Sequence, residues 1–68
     1  MKVSARNVFE GRISALVPGP INAEVTLTLP GGDVLVAVIT QEAVAELGLA
    51  VGVEARAIIK ASHVILAV

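Results

Sequence analysis

The sequence contains no cysteine, no tryptophan and no tyrosine, and it has one histidine, His63, among its 68 residues. Without cysteine the chain cannot be cross-linked by disulfides, and one histidine cannot supply the ligand set of a zinc site. A Cys-His nucleophile pair is excluded by the same counts. His63 falls in a predicted turn between Ser62 and Val64, where we expect an exposed side chain rather than a member of a serine triad. The sequence therefore predicts neither a metal centre nor an enzyme.

Basic and aromatic side chains are also few. Five Lys and Arg residues stand against six Asp and Glu residues, the net charge is −1, and Phe9 is the one aromatic residue. Proteins that bind single-stranded nucleic acid combine a basic groove with aromatic side chains on which bases stack. The Gly31-Gly32 pair is typical of a hairpin turn and lacks the spacing of a phosphate-binding loop. Nucleic acid is therefore not a predicted partner.

Aliphatic residues dominate instead: hydrophobic residues make up 56% of the chain, and the mean hydropathy is +0.89. One small domain, taken as residues 1–68, cannot bury that much apolar surface, because most of its positions lie near the outside. Charges and Pro/Gly pairs interrupt every stretch that could form a spanning helix of about 20 residues, so no membrane partner is predicted. We expect a homo-oligomer whose copies cover each other. No secretory leader is recognisable, which makes the cytoplasm the expected location.

Alternation of apolar and polar residues predicts strands over residues 8–17 and 21–29. The apolar face of the first strand is formed by Phe9, Gly11, Ile13, Ala15 and Val17, and that of the second by Ile21, Ala23, Val25, Leu27 and Leu29. PGGD at residues 30–33 predicts a tight turn into a third strand, residues 34–40, which is apolar on both faces. A neighbouring subunit is the expected cover of its outer face.

The period changes at Thr40. The segment TQEAVAELGL predicts a short helix with Thr40 as its N-cap and Gly48 at its C-terminal end. Strand periodicity returns over residues 53–60, a brief turn follows, and VILAV at residues 64–68 predicts a fifth strand. The element order predicts an all-β fold, a five-stranded OB-like barrel with a short helix between strands three and four. An SH3-like barrel is the main alternative.

Polar and cationic residues lie at the ends of these predicted strands. Ser4 and Arg6 precede the first strand, Lys60 and Ala61 end the fourth, and Thr40 opens the helix. Hydroxyls, backbone N–H groups and cations together form a lining of donors, which suits an oxyanion because its oxygens only accept hydrogen bonds. The alternative is that the cations are solvated strand ends and that Thr40 only caps its helix.

Four segments resemble the molbindin (Mop) family: SARN at residues 4–7, GPINAEV at 19–25, VAVIT…ELGL across the third strand and the helix, and AIIKASHV at 57–64. They follow the family's order and cover essentially the whole chain. Mop proteins are small molybdate-binding relatives of the TOBE domains of molybdate transporter ATPases and of the molybdate-responsive regulator. The resemblance implies an OB-like hexamer, a trimer of dimers, that binds molybdate or tungstate between subunits and stores molybdenum without catalysis.

The resemblance also implies an oxyanion site made of six residues: Ser4, Ala5, Arg6, Thr40, Lys60 and Ala61. The hydroxyl of Ser4 and the backbone N–H of Ala5 would donate to the anion, beside Arg6 as a countercharge. Lys60 would supply a second cation, with a backbone N–H from Ala61 and a contribution from Thr40 at the start of the helix. No protein atom is expected to ligate the metal directly, and Ser62 is a candidate only.

One position departs from the family pattern. Relatives often carry a serine three residues after the helix-opening threonine, and this chain has Ala43 there. One hydroxyl donor is therefore missing, so either the affinity is lower or a water molecule replaces the hydroxyl.

A function from another class also stays open, namely an OB-type interaction or regulatory module that docks a transporter or regulator protein.

Overall fold

The computed structural model describes all 68 residues. It contains four strands, one α-helix and one 3₁₀ turn, in the order β1 Asn7–Pro18, β2 Asn22–Thr28, β3 Val34–Thr40, α1 Gln41–Leu47, β4 Glu54–Ile59 and the 3₁₀ turn Ala61–His63. The strands form one antiparallel sheet in the order β3-β2-β1-β4. The predicted third strand matches β3, and the other three predicted strands differ from the structure by one residue at each end.

β1 is the longest strand and takes part in two ladders. Its second half, from Arg12 to Pro18, pairs with β2, and its first half, from Asn7 to Arg12, pairs with β4. The two ladders share only Arg12, so the sheet curls around β1 into a half-barrel. A Cβ atom on the neighbouring Gly11 would lie 2.5 Å from the Thr28 carbonyl oxygen, so the curl requires a residue without a side chain here.

A β-bulge corrects the alternation predicted for β1. Ile13 is buried as expected, but the register against β2 shifts between Ile13 and Ala15, which makes Ser14 an extra residue. After the bulge, the residues predicted to face inward face outward, and those predicted to face outward face inward. Leu16 is therefore half-buried, whereas Ala15 and Val17, which were predicted to face inward, are exposed.

β2 supplies most of the core. The four buried side chains are those of Ile13, Ala23, Val25 and Leu27, and the last three lie on the face that alternation predicts. Half-buried aliphatic side chains from β1, β3, α1, β4 and the connecting loops pack against Ile13, Val25 and Leu27, namely Leu16, Leu29, Leu35, Ile39, Val44, Leu49, Ala55 and Ala57. Ile21, placed on the same face by the sequence, precedes β2 and is exposed. A core of four buried residues leaves most of the chain's aliphatic surface uncovered.

The predicted turn and helix boundaries are confirmed. Gly32 has a φ of 97° in the turn between β2 and β3, a conformation that glycine adopts readily. The side chain of Thr40 caps α1, because its Oγ1 accepts a hydrogen bond of 3.0 Å from the Ala43 N–H. Gly48, with a φ of 63°, ends the helix in the left-handed conformation.

The predicted fifth strand is not formed. The chain turns through Ala61–His63, where the Val64 N–H donates to the Ala61 carbonyl, and residues 65–68 make no backbone hydrogen bond. An aliphatic run specifies side chains that suit a sheet, but a strand also needs a partner edge, and residues 65–68 form no backbone hydrogen bond with any strand of their own sheet. The barrel is therefore open, with β3 and β4 as its edges.

The outer face of β3 is apolar, as the sequence indicates. Val34, Val36 and Val38 lie on it and are between 55% and 68% exposed. The expected cover by a neighbouring subunit stays a prediction. None of the helices is both long enough and apolar enough to cross a bilayer.

Candidate oxyanion site

The register between β1 and β4 brings five of the six predicted site residues to one end of the sheet. Asn7, the first residue of β1, pairs with Ile59, the last residue of β4. Residues 4–6 precede Asn7 and residues 60–61 follow Ile59, so both segments leave the antiparallel ladder at the same end. The Asn7 side chain ties them together, because its Nδ2 donates to the Ile59 carbonyl at 3.1 Å. We refer to this end of the sheet, with the flanking residues 2–6 and 60–61, as the cationic end.

The cationic end carries donors that find no acceptor in the chain. The Ser4 hydroxyl makes no hydrogen bond, and the Ala5 N–H donates to no backbone carbonyl or side chain. The side chains of Arg6 and Lys60 take part in no ion pair or hydrogen bond. These groups are free to donate to a ligand, and each is of the type that an oxyanion accepts from.

The distribution of ion pairs leaves positive charge at this end. Arg12 and Arg56 pair with Glu54 and Glu10, at 2.8 Å and 3.0 Å, elsewhere on β1 and β4. The three remaining cationic residues are Lys2, Arg6 and Lys60, which all lie in the segments flanking this ladder end. The unpaired carboxylates belong instead to β2, to the β2–β3 turn and to α1: Glu24, Asp33, Glu42 and Glu46. Every unpaired cation of a chain with net charge −1 is therefore at the cationic end.

Thr40 is not brought to the cationic end. It pairs with Asn22 at the start of β2, and the same end of β2 pairs with the last residue of β1, Pro18. The full length of β1 therefore separates Thr40 from Ser4 and Lys60 along the sheet. The helix-cap interpretation is confirmed, yet the Thr40 hydroxyl hydrogen is still available, because the cap uses only an oxygen lone pair. A single chain thus presents two separate groups of donors.

A family model described as "TOBE domain" matches residues 3–66. The chain belongs to the TOBE domain family. It is 46% identical to the "Probable molybdenum-pterin-binding protein" of Haemophilus influenzae, over all 68 residues of this chain and 99% of that protein. It is 47% identical to the "Molybdenum transport protein ModE" of Azotobacter vinelandii, of which it spans 25% of the length.

Two solved structures resemble this TOBE domain closely. MopII from Clostridium pasteurianum has a TM-score of 0.93 at 34% identity, with 98% of this chain and all of that chain covered. The cytoplasmic molybdate-binding protein ModG, in a form with molybdate bound, has a TM-score of 0.93 at 51% identity, covering 96% of this chain and 46% of that one. The fold of this TOBE domain is thus that of Mop proteins, as the sequence resemblance implied.

The structure of the TOBE domain adds two residues that the site prediction omitted. Lys2 is the third unpaired cation of the cationic end, and its position four residues before Arg6 was the available signal. Asn7 is the second, because its side chain joins the start of β1 to the last residue of β4 by a hydrogen bond. Asn7 has this role only because the sheet places Ile59 opposite it, so no local sequence pattern identifies it.

Two other regions do not form competing sites. The largest groove, about 940 Å³, lies against β1 and β4 and contains Glu10, Arg12, Glu54 and Arg56, whose charges cancel as two ion pairs. An anion gains little there for that reason. His63 is exposed in the 3₁₀ turn, and no three His, Asp or Glu side chains are grouped as metal ligands.

Proposed function

We propose that this TOBE domain binds molybdate or tungstate as an intact oxyanion and serves molybdenum storage or homeostasis in the cytoplasm, without catalysis. Relatives named for molybdenum-pterin binding and molybdenum transport support the ligand class, and so does the ModG structure with molybdate bound, which is also described as cytoplasmic. The structural observation that carries the proposal is the cationic end. The two segments at this end carry the three cationic side chains that have no ion pair, and they also carry a hydroxyl and a backbone N–H that have no acceptor in the chain.

The chemistry of the ligand matches this set of groups. Molybdate is a tetrahedral dianion whose four oxygens accept hydrogen bonds and donate none, so a site lined by donors alone satisfies it. Arg6 and Lys60 together balance its charge, while Ser4, Ala5 and Ala61 supply neutral donors. Sulfate has the same charge and shape but shorter bonds, so donors held at molybdate spacing are left under-satisfied around it.

The complete site lies between subunits in this proposal. Thr40 is at the other end of β1 from the cationic end, so its hydroxyl reaches the anion only from a neighbouring copy. The exposed valines of β3 give such copies an apolar surface to share. We propose a homohexamer, a trimer of dimers, as the assembly that pairs each cationic end with a neighbour's Thr40.

The test is a calorimetric titration with molybdate, run beside sulfate at equal ionic strength, on the unaltered chain and two arginine variants. We expect saturable molybdate binding and little or no heat with sulfate. Arg6→Ala is expected to weaken molybdate binding at least tenfold. Arg12→Ala removes the same charge from the Glu54 ion pair outside the site, and we expect it to change the affinity by less than about twofold.

The outcomes separate the function from the site. No molybdate binding by calorimetry and by equilibrium dialysis would refute the function. Equal losses in Arg6→Ala and Arg12→Ala would leave the function standing and reject the cationic end as its site. Native mass spectrometry of the same samples tests the hexamer.

A docking role is the second candidate. It is supported by the similarity to ModE, in which the matched region is only 25% of a protein named for molybdenum transport. In that role the anion changes the surface that a transporter or regulator recognises. Co-purification of a partner that depends on added molybdate favours it, whereas a hexamer that binds molybdate alone favours storage.

A further inference from the structure

The ladder between β1 and β4 stops just before the residues that carry the free donors. Its last pair joins Asn7 to Ile59, and the same register would next place Ala5 opposite Ala61. No backbone hydrogen bond joins residues 4–6 to residues 60–61. The two segments therefore separate directly after the Asn7–Ile59 pair. We refer to the space between residues 4–6 and residues 60–61 as the gap.

The Asn7 side chain makes the last hydrogen bond across the ladder before the gap. Asn7 is half-buried, and its Nδ2 donates to the Ile59 carbonyl oxygen at 3.1 Å. That carbonyl belongs to the peptide group that links Ile59 to Lys60, and a peptide group is planar. The hydrogen bond therefore fixes the peptide plane from which residues 60–61 leave the sheet.

The orientation of this plane determines where the Ala61 N–H points. Lys60 is extended, with a φ of −62° and a ψ of 132°. In extended backbone the carbonyl of one residue and the N–H two residues later lie on the same side of the chain. The Ile59 carbonyl faces β1, so the Ala61 N–H faces the segment that precedes β1, across the gap. This N–H donates to no acceptor in the chain.

A backbone donor of this kind discriminates between anions better than a long side chain does. The Lys60 ammonium is a point charge on a flexible stem, so it follows an oxygen of molybdate or of sulfate equally well. A backbone N–H keeps its position only if the segment that carries it is held. Selective sites need their donors held to within about 0.5 Å, and the hydrogen bond from Asn7 is the contact that holds this segment.

We propose that Asn7 is a positioning residue of the oxyanion site and a determinant of its selectivity. By holding the Ile59 carbonyl, Asn7 sets the width of the gap and the direction of the Ala61 N–H, and it does so without touching the anion. When this bond is lost, residues 60–61 move inward to follow the shorter bonds of sulfate, and the preference for the larger anion falls. This inference rests on the proposed function, because it requires that the anion binds at the cationic end.

The experiment compares substitutions of Asn7 with one made at the other end of β1. Asn7→Leu keeps the approximate shape of the side chain and removes the donor, whereas Asn7→Gln keeps an amide donor. Leu16→Ala is the stability control, because Leu16 packs against the core and pairs with Val25 of β2, away from the gap. Calorimetry gives the Kd for molybdate, and competition against bound molybdate gives the Kd for sulfate at equal ionic strength.

We expect Asn7→Leu to lower the ratio of molybdate affinity to sulfate affinity by about tenfold, as the loss of one hydrogen bond to a charged group would. Asn7→Gln should retain most of the ratio. Leu16→Ala should lower the free energy of unfolding and leave the ratio unchanged. If Asn7→Leu does not fold, Asn7→Ser replaces it, since a serine side chain is one atom too short to make the same bond.

Backbone amide NMR of the labelled chain provides a readout that a purely structural role would not change. In the unaltered chain we expect added molybdate to shift the amide resonances of Ala5 and Ala61. In Asn7→Leu the shift of Ala61 should be lost, while that of Ala5 persists because its segment does not depend on the Ile59 carbonyl.

The outcomes separate this inference from the function on which it rests. An unchanged affinity ratio in Asn7→Leu, or an Ala61 resonance that still shifts, would overturn the positioning role. An equal fall of the ratio in Asn7→Leu and Leu16→Ala would assign the effect to stability and would overturn it as well. No molybdate binding by the unaltered chain would instead reject the proposed function.

Discussion

Lys60→Ala tests the charge of the cationic end most directly. Lys60 follows β4 immediately, and its side chain has no partner in the chain. Two unit charges about 4 Å apart attract each other by about 1 kcal/mol in water, so a cation beside a dianion contributes about 2 kcal/mol. That energy corresponds to roughly thirtyfold in affinity, and salt reduces it toward tenfold. We therefore expect Lys60→Ala to raise the Kd for molybdate by about tenfold to thirtyfold.

The stability of the fold should not change with the same substitution. An exposed side chain without a partner contributes little, so we expect the free energy of unfolding to stay within about 0.5 kcal/mol. The assay is calorimetry at two salt concentrations, with Lys60→Arg as the variant that keeps the charge and should keep most of the affinity. An unchanged Kd in Lys60→Ala at low salt would refute the electrostatic reasoning. An equal loss in Lys60→Arg would show that geometry, rather than charge, is what Lys60 provides.

Two further substitutions test the frame of the site. Gly11→Ala places a Cβ 2.5 Å from the Thr28 carbonyl oxygen, and we expect it to lower the free energy of unfolding by about 1–3 kcal/mol. The measurement is a urea titration. An unchanged free energy of unfolding would contradict the close approach of β1 and β2 at Gly11. Thr40→Ala removes the N-cap of α1, so we expect the free energy of unfolding to fall by about 1 kcal/mol and molybdate binding to weaken. Thr40→Ser keeps the hydroxyl and should preserve both the stability and the affinity. A loss of stability without a loss of affinity would exclude Thr40 from the site.

The elements that sequence reasoning located are those with local causes. Thr40 and Gly48 mark the ends of α1 because capping and the left-handed conformation depend on the residue itself. The turn at residues 30–33 is predictable for the same reason. The bulge at Ser14 was not, since it arises from the register between two strands, and nothing in the run around Ser14 distinguishes it from regular alternation.

Residues 64–68 and the site show a further limit. VILAV has the composition of a strand, but composition does not provide the partner edge that a strand needs, and these residues form none in the sheet. For the site, the residues alone suggested a set of donors, and the resemblance named its members. The meeting of residues 4–6 with residues 60–61 follows only from the ladder that joins Asn7 to Ile59.

That ladder also determines when the cationic end forms during folding. β2 and β3 are joined by a short turn, so their contacts close small loops, whereas the hydrogen bond from Asn7 to the Ile59 carbonyl joins residues 52 apart. Closing a loop of that length costs more chain entropy, so β4 is expected to dock onto β1 after the β1–β2–β3 meander has formed. The same ladder end should open first in the native state, with faster amide exchange than β2. A ligand that bridges the two segments would slow that exchange, so the protein's kinetic resistance to unfolding would rise with the supply of its ligand.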